Sequence, residues 1–154
     1  VTGVQTCALP ISNLNVAKLR EAKRLLDKGN VPMDGRHMVI HANSLSNLLS
    51  ETSVTSSDFN TVKALVQGEI NTFLGFQFHV LGDRSEGGLA IDGSLDRTVW
   101  AFHSQAVGYA EGIGMRTEIN YIAEKTSWLV NEVFSAGAIA IDAGGIVQIT
   151  CRES

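Results

Sequence analysis

His37 and His41 stand four residues apart around Met38, Val39 and Ile40. On a helix that spacing would offer two imidazoles to one zinc ion. A zinc protease also needs a glutamate beside its first histidine to activate water, and Met38 occupies that place. On a strand the two rings would share a face, yet two ligands are too few for a structural or catalytic metal. His79 and His103 fall on other predicted strands, so all four histidines are read as surface or partly buried rings with ordinary hydrogen bonds. GYAEGIG at 108–114 lacks the spacing of a dinucleotide loop, and no GxxxxGK[ST] is present to cradle phosphate. Gly87 and Gly88 suit a turn. Ser94 lacks the glycine frame of a nucleophile elbow. Asp92, Ser94 and Asp96 look slightly like a calcium loop but lack its bidentate glutamate, so a solvated turn is expected. Cys151, in an apolar run, reads as a small core residue. Glu118 and Glu124 have no convergent apolar surroundings to shift a pKa. No cofactor, no metal and no enzymatic activity are expected.

Composition narrows the classes further. The chain has 154 residues, a net charge of −4 and 18% charged residues. A weakly acidic chain lacks the clustered Lys/Arg face that grips nucleic acid. No uncharged apolar run approaches the roughly 18 residues of a membrane span, so neither a membrane nor specific nucleic acid is expected as a partner. Of the two cysteines, Cys7 lies in VTGVQTCALPI at 1–11. That string resembles the translation of a sequencing adapter and has neither the basic start nor the cleavage site of a secretory signal. Residues 1–11 are therefore expected to be non-native and to make no essential contact.

The elements that would position these residues follow from hydrophobic period. A helix is expected over 15–28, with Val16, Leu19, Ala22, Leu25 and Leu26 on one face, Asn15 as N-cap and Gly29 as the left-handed residue that ends it. RHMVIH at 36–41 reads as a short buried strand. Asn43 or Ser44 would cap a brief helix carrying Leu45, Leu48 and Leu49. A second long helix, capped by Ser56 or Ser57, would bury Phe59, Val62, Leu65 and Val66 and end at Gly68. Strands are expected over 74–81, 97–102, 115–122 and, from β-branched and aromatic content, 126–135. DAGG at 142–145 would turn a hairpin between 138–141 and 146–151. Together this is an α+β layout.

Four stretches resemble the major capsid proteins of tailed bacteriophages, the Hong Kong 97 type. They are VAKLREAKRLLDKGNVP at 16–32, RHMVIHANSLSNLL at 36–49, VTSSDFNTVKALVQGEINTFLGFQF at 54–78 and AFHSQAVGYAEG at 101–112. GGIVQITC at 144–151 is similar to the way such subunits end. The resemblance implies a Hong Kong 97-like fold, with residues 12–111 as an axial lobe and 112–154 as the incomplete C-terminal strands of a peripheral lobe. It implies a structural subunit of a virion, assembled in the bacterial host cytoplasm as a homo-oligomer of pentamers and hexamers, with a scaffold protein as a further partner. Glu51, Thr52, Ser53, Val54, Thr55 and Ser56, in a Ser/Thr-rich loop, would form an exposed subunit contact. The alternatives are a nanocompartment shell of the same fold, a small α/β enzyme domain, and a tail or head-completion module.

Overall fold

The computed structural model describes residues 3–50, 72–84 and 87–153. The expected loop Glu51–Ser56 and the helix expected to end at Gly68 lie outside the described residues.

Helix α1, Val16–Lys28, begins where the Asn15 side chain accepts a hydrogen bond from the Lys18 backbone N–H at 2.9 Å, satisfying a donor that the first turn leaves free. The expected left-handed ending falls one residue later than the sequence suggested. Gly29 has φ −79° and Asn30 takes φ 54°, a conformation asparagine tolerates better than most side chains. Strand β2 is Arg36–His41, and α2, Ala42–Ser50, follows it without a break. His41 does the capping expected of Asn43 or Ser44: its Nδ1 accepts from the Asn43 N–H at 3.3 Å.

The remaining strands are β1 (Gln5–Thr6), β3 (Thr72–Phe73), β4 (Phe76–Leu81), β5 (Asp96–His103), β6 (Val107–Ile122), β7 (Ser127–Ala140) and β8 (Ile146–Arg152). Six of them form one sheet in the order β1-β8-β5-β2-β4-β3, while β6 and β7 form a two-stranded sheet of their own. Register places Phe78, Met38, Ala101 and Val147 in one row across four strands. Because side chains alternate along a strand, this row shares a face with Ile40, Val99 and Ile149. That face is buried in one cluster with Leu14, Leu19, Ala22 and Leu26 around α1 and Leu48 of α2. The next row, His79, Val39, Trp100 and Gln148, lies on the opposite face.

Two expectations are corrected here. The stretch 146–151 does not pair with 138–141: β8 sits between β1 and β5, and Ala138–Ala140 belongs to β7. The Asp142–Gly145 turn changes sheets rather than reversing within one, Asp142 Oδ1 accepting from the Gly144 N–H at 2.9 Å. Consequently the boundary drawn at 111/112 runs through β6 and separates β8 from the sheet it belongs to. Residues 1–11 also contribute contacts. Gln5 and Thr6 pair in parallel with Val147 and Gln148, and Cys7 is buried in the core. Val80, which strand alternation sets in line with Phe76 and Phe78, is 48% exposed.

Candidate functional site

A charge cluster gathers where β2 and β8 end and β5 begins. Arg97, on the buried face of β5, directs its guanidinium onto Glu153, with Nε to Oε1 at 2.7 Å and Nη2 to Oε2 at 3.0 Å. The same group donates to Asp83 at 3.1 Å and to the Leu89 carbonyl at 3.2 Å. His41 lies between the two carboxylates, 3.2 Å from Glu153 and 3.3 Å from Asp83. Arg97 and the Glu153 side chain are both nearly buried. The hydrogen bond to Glu153 raises the Arg97 pKa above its ordinary value, so the guanidinium stays charged and both carboxylates are engaged by it. A cation placed among the same oxygens would meet that fixed positive charge. The arrangement is a clamp on the last residues of the chain. Sequence reasoning missed it because His41, Asp83, Arg97 and Glu153 come from four separate segments with no common spacing.

The other candidates resolve into structural roles. His103 Nδ1 accepts from the Gln105 N–H at 3.1 Å and its Nε2 lies 2.7 Å from the Asp34 carbonyl, tying a turn to a loop. Asp92 Oδ1 accepts from the N–H groups of Ser94 and Asp96 at 2.8 and 2.9 Å. The Asp96 carboxylate in turn binds the Arg152 guanidinium, which holds its pKa below the ordinary carboxylate value. The calcium-loop likeness is thus a tight turn beside a cross-strand ion pair. Cys151 is fully buried and its thiol is pushed up to about 11, chiefly by desolvation, which suits a core position and not a nucleophile. Lys18, a polar position by helical period, is buried. Its Nζ donates to the carbonyls of Ser12 at 2.5 Å and Thr150 at 2.7 Å, and desolvation lowers its pKa. Glu118 and Glu124 are in the β6–β7 region and reach no buried site. Among the described residues no group of three or more His, Cys, Asp or Glu side chains is placed to hold a metal ion, and no helix is long and apolar enough to cross a membrane.

An apolar groove of about 450 Å³ opens on the sheet face opposite α1 and α2, between Val39, Trp100, Phe102, Ile146 and the base of the β6–β7 hairpin, with Gln148 as its polar group. Gln148 cannot take or give a proton near neutral pH, so the groove carries no acid–base pair.

Among the described residues, most of the exposed large apolar side chains lie on the hairpin itself. β6 and β7 pair from Val107↔Ala140 to Ile122↔Ser127, with register shifts between Glu111 and Arg116. A short turn at Ala123–Lys125 and left-handed Thr126, φ 48°, close the tip. Pairing puts Ile119 opposite Val130 and Tyr121 opposite Trp128 on one face, the two rings 5.1 Å apart. Phe134 continues that face along β7 by strand alternation. Ile119 is 63% and Trp128 68% exposed. The other face alternates Asn120, Glu118 and Arg116 with Leu129, Asn131 and Val133. The sequence marked both strands but not that, among the described residues, they pair with each other alone.

The phage capsid protein family model matches residues 2–153. No curated protein matches the chain by sequence. In structure the chain is similar to a protein of Mycobacterium phage Che8 at 21% identity and TM-score 0.71, over 96% of this chain and 53% of that one. It is similar to the capsid of Ralstonia phage GP4 at 11% identity and TM-score 0.68, over 99% and 53%. The holo-SrpI encapsulin of Synechococcus elongatus shares the fold at 9% identity and TM-score 0.53, over 96% and 52%. The chain therefore spans about half the length of these structures, and the α+β fold is the Hong Kong 97-like capsid fold expected from the sequence.

Proposed function

The chain belongs to the phage capsid protein family, and we propose that it tiles an icosahedral shell as pentamers and hexamers around a phage genome. The observation that carries this reading is the β6–β7 hairpin. Two strands alone are marginal in water, and a row of large apolar side chains exposed along such a ribbon marks a contact surface. Ile119, Tyr121, Trp128, Val130 and Phe134 supply that row. In this reading the six-stranded body with α1 and α2 is the axial lobe, and the hairpin reaches out as part of the peripheral lobe to pack on neighbouring copies. Glu51–Ser56 form a further subunit contact, a scaffold protein guides closure, and assembly proceeds in the host cytoplasm. The role is structural: the shell performs no reaction.

Sedimentation of the complete gene product tests the hairpin's part. The unaltered protein should sediment as large particles. An Ile119→Asp/Val130→Asp variant should remain at the size of single subunits or small rings while keeping its circular dichroism, because charges buried without partners at a contact cost several kcal/mol. Particles that form equally well from the variant would remove the hairpin from the interface.

A further inference from the structure

The sequence set His37 beside His41, but the fold separates those two and joins His37 to His79. β2 and β4 run parallel with His37 opposite Gln77 and Val39 opposite His79. The two rings therefore meet diagonally on the sheet face opposite α1 and α2. His37 Nδ1 lies 3.0 Å from His79 Nε2, with ring centroids 5.2 Å apart. Phe102 on β5 backs the His37 ring at 5.8 Å between centroids, which limits the directions that ring can take. His79 is exposed, so the pair is open to solvent on one side.

A first-row divalent ion binds imidazole nitrogen at about 2.0–2.1 Å. Two nitrogens bound side by side on one ion are then separated by about 3 Å, by simple geometry on that bond length. The pair stands near that separation, at 3.0 Å, and each ring must swing so that its lone pair leaves the line between the two nitrogens and points to the ion. We propose that His37 and His79 form an exchangeable site for a divalent cation of the Ni²⁺, Cu²⁺ or Zn²⁺ class, with water completing the shell. Two imidazoles are too few for a resident structural or catalytic metal, but a water-completed, reversible site asks less of the protein. Imidazole is a preferred ligand of these ions, and Ca²⁺ and Mg²⁺ favour oxygen. Binding requires that the hydrogen now shared between the rings move to the far nitrogen of its own ring. When both rings are neutral, no net proton is released. The ion would bridge two adjacent strands of the central sheet.

The test is calorimetric titration of the full chain with NiCl₂, chosen because Ni²⁺ does not oxidise Cys7 or Cys151. One ion per chain is expected. His79→Ala, an exposed change that should leave the circular dichroism unaltered, should weaken binding roughly tenfold or more, and His37→Ala should do the same. Absence of a one-to-one isotherm, or undiminished binding to the folded His79→Ala protein, would overturn the proposal. Neither result bears on shell assembly, which is read separately by sedimentation.

Discussion

Arg97 shows how one buried cation organises several segments. Its guanidinium joins β5 to Glu153, to the Asp83 loop and to the Leu89 carbonyl. Arg97→Ala would leave the largely buried Glu153 carboxylate without its guanidinium partner, and removal of one member of such a pair costs about 3 kcal/mol or more. Urea denaturation should show a matching fall in midpoint. Arg97→Lys should recover only part of it, since an ammonium cannot reproduce the two-pronged contact. Cys151 gives a pH signature. Its pKa is raised from the usual thiol value of 9.0 to about 11. Its contribution to stability is therefore complete below 9.0 and is lost as pH rises toward 11, where unfolded chains ionise and folded ones do not. Thermal melts across that range should fall less steeply for Cys151→Ala than for the unaltered chain. Ser44 offers the opposite kind of change. Its hydroxyl is buried in α2 with no hydrogen-bond partner among the described residues. Ser44→Ala should raise the melting temperature, by an amount corresponding to about 1 kcal/mol. Cys151 was readable from its apolar neighbours. Lys18 was not, because its burial depends on the Ser12 and Thr150 carbonyls meeting at one point, which only the assembled sheet supplies.

At the scale of elements, local pattern carried α1, β2 and β4, because each follows from hydrophobic period, with a cap added for the helix. Pairing was harder to read. Asp142–Gly145 has the composition of a hairpin turn, but β8 binds β5 through seven residue pairs from Asp96↔Arg152 to Phe102↔Ile146. Those long-range contacts outweigh the local turn preference. β1 shows the same effect on a segment with no readable period. Its pairing and the Cys7 N–H to Gln148 carbonyl bond at 2.9 Å cover the outer edge of β8. Deleting residues 1–11 should therefore lower stability by more than about 1 kcal/mol, beyond ordinary surface effects. Hydrogen exchange should show the lost protection in β8. An unchanged melt after deletion would show that β1 contributes nothing to the fold.

The whole molecule divides its apolar surface between two purposes. One face of the six-stranded sheet is sealed by α1 and α2, while the hairpin carries comparable side chains into solvent. A monomeric protein rarely leaves so large an apolar feature uncovered; a subunit that meets many copies of itself can bury it at each contact. The capsid resemblance was legible in the sequence through four quoted stretches. The protruding ribbon was not, because its isolation is a property of the folded chain. Electron microscopy of the complete gene product, expressed with and without a scaffold protein, tests the shell assignment most directly. Closed particles of uniform size are expected. A full-length product that stays a stable monomer under assembly conditions, even with scaffold present, would contradict the account.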